Sequence, residues 1–262
     1  MRVQGDFTMH PILINIFGIP IYGYGTMIAI GILSALFLLD RRSKQKGYDS
    51  DSMLNMAILA VVLGVVGGKL LYIITEIKSI IENPYLLKDF GSGFVVYGSI
   101  IGGALGVYIY CRKKQWKILE IFDLAVPSLA LAQGFGRIGC FFAGCCYGKA
   151  TTSFLGVKFK PGSLGPMDTC VLPTQIFSSA FDFALALLLL WYDKKKRKNG
   201  RVVALYFIVY SIGRFSIEFI RDDPRGAVGA LTTSQFISIF TLLFGIILFN
   251  YDRIKKAVKK ES

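Results

Sequence analysis

Seven stretches of about twenty mostly apolar residues, at 21–39, 53–74, 94–111, 121–142, 174–192, 202–220 and 234–250, tie this chain to a lipid bilayer. Inside the hydrocarbon every backbone N–H and C=O has to be satisfied within the protein, which leaves helices as the form for segments of this length. An all-α polytopic membrane protein of about seven transmembrane helices is therefore expected. The fourth stretch is polar enough to be expected broken or bent. Composition agrees: 53% of the 262 residues are hydrophobic and 18% are charged, against roughly 25% charged in soluble domains. No internal repeat and no long linker divides the chain, so residues 1–262 read as a single membrane-embedded domain. Within it, 143–172 reads as an extracytoplasmic loop and 251–262 as a basic cytoplasmic tail. The first twenty residues lack the features of a cleaved signal, because their apolar part is short, interrupted by proline and without a small-residue cleavage site.

The net charge of +13 would suit nucleic acid, but the basic residues lie beside the apolar stretches rather than on one soluble face. They fit anionic lipid headgroups and topology better, and no nucleic acid is expected. Alternate connections carry nineteen Lys and Arg on one side and eight on the other. The positive-inside rule then places the N-terminus outside and the C-terminus in the cytoplasm. Lys69, Arg137 and Arg214 remain, within or at the edge of the apolar stretches. Gly64 and Gly68 share one helix face, as do Gly98, Gly102 and Gly106. Small residues four apart let helix backbones approach closely, here more readily within the bundle than between two copies.

Residues 134–139 match G-x-G-x-x-G, yet that pattern signals a dinucleotide only between a strand and a helix, with an acidic residue about twenty positions later. Here it lies inside an apolar stretch and position 159 is Phe. Arg137, at its centre, carries the information. A cation in a membrane segment is costly enough to demand a partner or a cavity. Two readings stand: an ion pair with Asp123 or Glu218, or bidentate binding of a lipid phosphate, which suits the planar guanidinium. Tyr210, Arg214 and Glu218 follow at i, i+4 and i+8, so one helix face holds a phenol, a cation and a carboxylate. That face reads either as a self-neutralising pair or, with Arg137, as a polar pocket near the outer leaflet.

Taken in order, Tyr24-Gly25, Gly67-Gly68-Lys69, Asn83-Pro84 through Gly102, Gly136-Arg137-Ile138-Gly139, Gly148, Pro173-Thr174-Gln175 and Tyr210-x3-Arg214-x3-Glu218-x2-Arg221 resemble the prolipoprotein diacylglyceryl transferases over roughly residues 17–250. The resemblance implies a bacterial cell-membrane enzyme with an outside N-terminus and a site facing the extracytoplasmic leaflet. It implies transfer of the diacylglyceryl group of phosphatidylglycerol to the lipobox cysteine of a secreted precursor, forming a thioether and releasing glycerol-1-phosphate. By position, Arg137 would bind the headgroup, with Gly98, Gly136, Gly139 and Gly148 around the substrate. Arg214 would stabilise the leaving phosphate, with Tyr24, Tyr97, Tyr210 and Glu218 as the remaining catalytic candidates. Phosphatidylglycerol, membrane lipids and the lipobox peptide are the expected partners, the chain is expected to act as a monomer, and no cofactor is expected.

Departures from the family pattern bear on the thiol. The usual histidine is replaced by Tyr97, and the one histidine of the chain is His10. Phenol ionises near 10 and imidazole near 6.5, roughly, so Tyr97 is a weak base unless cations depress it. Cys140 and Cys145 stand where the pattern has Asn and Glu, Leu172 where some members have His, and Ser178 where Glu is usual. The five cysteines read as a disulfide of Cys145 or Cys146 with Cys170, as buried thiols, or as a chemically active group beside cations. Their spacing supplies neither Cys-x2-Cys nor histidines, so no metal is expected. Beside the transferase stand a paralogue with another acceptor and a non-catalytic lipid-binding protein.

Overall fold

The computed structural model describes residues 8–9, 11–83, 85, 93–223 and 226–261. Arg2, His10, Pro84, Lys88 and Arg225 of the sequence reading lie outside them. Each apolar stretch falls in a helix: α1 Gly23–Gln45, α2 Ser50–Thr75, α4 Val96–Lys114, α5 Ile118–Ala143, α6 Thr174–Asp193, α7 Arg201–Ile217 and α8 Thr233–Glu261, with a short α3 at Ile77–Glu82. Six of these, all but α3 and α4, are long and apolar enough to cross a membrane. In α4, tyrosines, glycines and the basic end Arg112, Lys113, Lys114 dilute the apolar character. Large side chains such as Val65, Ile100 and Leu187 are more than half exposed along the helices, as residues facing lipid are. The protein is an all-α polytopic membrane protein.

The break expected in the fourth stretch is not found. α5 is unbroken from Ile118 to Ala143 even though it contains Pro127. Its polar residues find partners instead of interrupting the helix: Gln133 accepts from the Tyr206 hydroxyl at 3.0 Å, and the Gly134 carbonyl accepts from Ser179 at 2.9 Å.

Two compact units are distinguishable, Met1–Phe37 with Phe122–Ser262, and Leu38–Ile121. In the second, α2 and α4 pack lengthwise through the glycines read from the sequence. A methyl group added at Gly106 would lie 2.9 Å from the Ala60 Cα, so the small residues bring backbones together within the chain. Asp49 caps α2 by accepting from the Ser52 N–H at 2.8 Å. Lys69 sits over the rings of Tyr72 and Phe94, each 5.3 Å away.

In the first unit, strands β1 (Ile12–Ile16) and β2 (Ile19–Tyr22) form a hairpin leading into α1. The interior is built by α5, α6 and α7 from Val126, Ala130, Leu185, Leu189, Val203 and Tyr206. α8 packs on α7, where Ser211 and Thr241 share a hydrogen bond of 2.6 Å. The N-terminus of α7 is held by Asp123 of α5, whose buried carboxylate accepts from Gly200 N at 2.6 Å and Val203 N at 2.7 Å. These are two of the N–H groups a helix start leaves without partners. Replacing Asp123 with Ala strands them and is expected to cost about 1–3 kcal/mol. That loss is read as a lower thermal midpoint in detergent, with Asp123→Asn falling less because it keeps an acceptor.

Candidate active site

Arg137 lies on α5 one turn before Cys140, so the two share a face. Facing them, α6 and α7 border a cavity of about 480 Å³ lined by Arg137, Ser178, Asp182, Tyr210 and Arg214, with Phe177, Val209 and Ile217 among its apolar walls. Arg214 stands near the end of α7, where the helix tightens into a 3-10 turn at Glu218–Ile220. The i, i+4 relation survives that change. Arg214 Nη1 donates to Glu218 Oε2 at 2.6 Å and Nη2 donates to Ser234 Oγ of α8 at 2.7 Å. Glu218 is almost fully enclosed, its side chain 1% exposed against 16% for Arg214. The carboxylate thus fixes one edge of the guanidinium and leaves Arg214 on the cavity wall. Tyr210 stacks on Tyr206, ring centres 5.4 Å apart.

The two arginines differ in one decisive respect. Glu218 is committed to Arg214, and Asp123 to the start of α7. Neither ion pair that the sequence allowed for Arg137 forms, and among the described residues no carboxylate pairs with it. Its charge is acted on at longer range by Tyr210, Cys140, Asp182 and Cys146. Asp182, 2% exposed, was missed by the sequence reading. The signal was present, since a carboxylate in an otherwise apolar stretch is costly for the same reason as a cation.

Beyond α5 the chain reverses. Gly144 (φ 77) and Cys146 (φ 63) both adopt left-handed backbone, which costs little at glycine and is uncommon elsewhere. The reversal carries Cys145 and Cys146 back onto Cys140, and the three Sγ atoms lie within 4.8 Å of one another. The turn is fastened from α6, where Thr174 Oγ1 donates to the Cys146 carbonyl and Gln175 Nε2 to the Cys145 carbonyl, both at 2.7 Å. The sequence spacing had argued against a metal site, but the turn gathers sulfurs that a linear motif search would leave apart. All five cysteines are free thiols, and Cys170, the expected disulfide partner, is not in this group. Cys145 Sγ donates to the Cys140 carbonyl at 3.7 Å, and the neighbouring Cys140 and Cys145, with Arg221 and Arg137, pull the Cys146 thiol below its usual range.

The same loop is pinned to the far end of α7. Lys149 N donates to the Ile220 carbonyl at 2.9 Å and Asp222 N to the Tyr147 carbonyl at 3.2 Å. Arg221 is buried there and makes a two-pronged ion pair with Asp223, at 3.1 Å and 3.0 Å. Gly148 occupies the crossing. Gly136 and Gly139 lie on the side of α5 that meets α1: a methyl group at Gly139 would sit 3.3 Å from the Tyr24 ring, and one at Gly136 would sit 3.8 Å from Ile28. Tyr24 is itself about half exposed. Arg137, Arg214, Glu218, Tyr210, Tyr24, Gly136, Gly139 and Gly148 all belong to the first unit. Tyr97 and Gly98 belong to the second, on the first turn of α4, with Gly98 against the Gly67 carbonyl of α2.

The model of the prolipoprotein diacylglyceryl transferase family matches residues 11–251 of this chain. A phosphatidylglycerol–prolipoprotein diacylglyceryl transferase of Clostridium tetani (strain Massachusetts / E88) is 59% identical over 248 residues, covering 95% of this chain and 100% of that protein. The second such transferase of Clostridium perfringens (strain 13 / Type A) is 55% identical over 248 residues, 94% of this chain and 97% of its own length. That of Clostridioides difficile (strain 630) is 32% identical over 244 residues, 93% and 95% of the two chains.

Gly148 tests the loop that frames the site. A methyl group there would lie 2.6 Å from Thr174 Cγ2, 2.8 Å from the Ile220 carbonyl oxygen and 2.9 Å from Leu172 Cβ. Gly148→Ala is expected to destabilise the protein by about 1–3 kcal/mol through overpacking. Limited proteolysis is the check, with cleavage appearing first between 143 and 172.

Proposed function

We infer that this chain, which belongs to the prolipoprotein diacylglyceryl transferase family, moves the diacylglyceryl group of phosphatidylglycerol onto the cysteine thiol of a prolipoprotein. It is a multi-pass bacterial membrane protein. The observation that carries the residue assignment is Arg137, a guanidinium in a membrane-spanning helix for which no ion-pair partner is present among the described residues, beside a cavity with apolar walls. A lipid phosphodiester supplies the missing anion, and its acyl chains supply matching surface for the aromatic and aliphatic lining.

In the reaction, the precursor's thiolate attacks the glyceryl carbon that bears the phosphate ester. The carbon–oxygen bond breaks, a thioether forms and glycerol-1-phosphate departs. Negative charge grows on the departing phosphate oxygen, so donors already aimed at it lower the barrier. Arg137 grips the phosphate in the ground state. Arg214, its orientation fixed by Glu218 and Ser234, meets the charge that develops on leaving. Tyr24, Tyr97 and Tyr210 act as hydrogen-bond donors. Gly98, Gly136, Gly139 and Gly148 keep side chains out of the paths of backbone and substrate. The basic connections hold the cytoplasmic face and the site opens to the extracytoplasmic leaflet. One copy of the chain suffices, and nucleic acid has no part.

Mass spectrometry of a synthetic lipobox peptide, incubated with the purified protein in phosphatidylglycerol micelles, reads the adduct directly, alongside release of glycerol phosphate. Arg137→Ala and Arg214→Ala are each expected to lower turnover at least about 100-fold, the usual effect of removing one charge-stabilising donor. Arg137→Lys recovers little, because an ammonium lacks the two-pronged geometry. Tyr97→Phe is expected to slow adduct formation, and an unchanged rate removes the phenol from the chemistry. Release of glycerol phosphate without an adduct would move the acceptor from the peptide to water.

A further inference from the structure

A thiol alkylation at neutral pH needs something that removes or displaces the thiol proton, and Tyr97 stands where a histidine would have done so. We propose that Cys140, Cys145 and Cys146 hold a zinc ion whose fourth coordination position takes the acceptor cysteine of the precursor, an inference that rests on the transferase reading above.

Three cysteine sulfurs within 4.8 Å of one another are already close to what zinc requires. Zn–S bonds of about 2.3 Å in a tetrahedron place sulfurs about 3.8 Å apart, a closure of roughly 1 Å that side-chain rotation supplies. Among the described residues no fourth His, Cys, Asp or Glu joins the group. Three protein ligands with a vacant position is the arrangement of a catalytic zinc, whereas a structural zinc is closed by four. The ligand type agrees, since thiolates select zinc or cuprous copper over magnesium or calcium. Of these two, zinc carries no redox chemistry that the reaction would have to avoid.

The surroundings behave as an outer shell. Gln175 and Thr174 grip the carbonyls of Cys145 and Cys146, so the ligand turn is held from a neighbouring helix. The Gln175 Oε1 atom is buried and has no hydrogen-bond partner, which leaves an acceptor in the side chain that holds the turn. Zinc with three thiolates carries one net negative charge. Arg137 lies on the same helix one turn before Cys140, so a cation stands near the cluster.

The placement also suits the reaction. Arg137 separates the sulfur cluster from the cavity by a single helical turn. A thiol on the zinc would therefore stand beside the phosphate held by Arg137. Coordination expels the thiol proton to solvent. The zinc-bound sulfur gives its electron pair to the glyceryl carbon as the carbon–oxygen bond breaks, and that bond's pair leaves on the phosphate oxygen. The resulting thioether has no negative charge and is a poor zinc ligand, so the product dissociates. No oxidant or reductant is consumed.

The test uses the full chain, purified in phosphatidylglycerol micelles under reducing conditions. Elemental analysis is expected to find one zinc per chain in the wild type and in the Cys170→Ser control, and its loss in Cys140→Ser. A variant-free measurement guards against misfolding: cobalt replaces zinc and its visible spectrum is followed. Thiolate-to-metal charge transfer with intense tetrahedral bands is expected, and a lipobox peptide carrying cysteine, but not one carrying serine, is expected to shift them. Stripping the metal should lower adduct formation at least about 100-fold, the contribution usual for a catalytic base, with recovery on adding zinc. A protein that binds no metal, or a disulfide among the three cysteines in freshly isolated protein, overturns the proposal. So does a cobalt spectrum indifferent to the cysteine peptide, which would make the metal a brace. Full activity in the stripped enzyme overturns the proposal and leaves the transferase standing. A peptide-responsive metal site in a protein that forms no adduct overturns the transferase reading instead.

Discussion

A guanidinium inside a bilayer has to be neutralised, and the way this protein neutralises two of them determines much of its polar interior. Arg214 has an internal answer in Glu218, with Ser234 closing the other edge. Arg137 has none among the carboxylates of the described residues. Removing one partner of a buried pair leaves a charge that typically costs 3–5 kcal/mol, roughly. A resting protein that tolerates such a charge is stable in a medium that provides an anion, and a membrane rich in anionic lipid always does. On the proposed reading, the substrate headgroup is also the counter-ion of Arg137.

That division of labour explains the commitments of the other carboxylates. Asp123 lies on the same helix as Arg137, yet it is turned to the first N–H groups of α7. Glu218 is tied to Arg214 by i, i+4 geometry that the 3-10 turn preserves. Asp182 is in the cavity wall without an ion pair to Arg137. Among the described residues none of these three acids forms an ion pair with Arg137, and on the proposed reading the substrate phosphate takes that place.

The helices were legible because lipid enforces a simple rule: about twenty apolar residues, with charge confined to the ends. The arginines were legible for the complementary reason, since each broke that rule. α5 was misjudged as broken because its polar residues were counted as interruptions. In the folded protein Gln133 and the Gly134 carbonyl bond sideways to Tyr206 and Ser179, and the helix continues. Asp182 broke the same rule as the arginines and was visible in principle. The cysteine cluster was not. Its closeness depends on a left-handed cysteine at position 146 and on two carbonyls captured by a helix that begins nearly thirty residues later. No linear spacing encodes that.

The loop between α5 and α6 then reads as more than a connection. It is fastened at one side to Thr174 and Gln175, where α6 starts, and at the other to Ile220 and Asp222, where α7 ends. Loops with so many backbone groups paired to neighbouring elements are held rather than mobile. Such fixing has a chemical reason here. Attack on carbon requires the sulfur, the glyceryl carbon and the departing oxygen in line, and an error of 1 Å in such an arrangement costs about 100-fold in rate. On the proposed reading, the phosphate end is set by Arg137 and Arg214, on α5 and α7. The loop runs from the turn after Arg137's helix to hydrogen bonds at the end of Arg214's, so on the proposed reading its fixing at both places holds the attacking side relative to the leaving side.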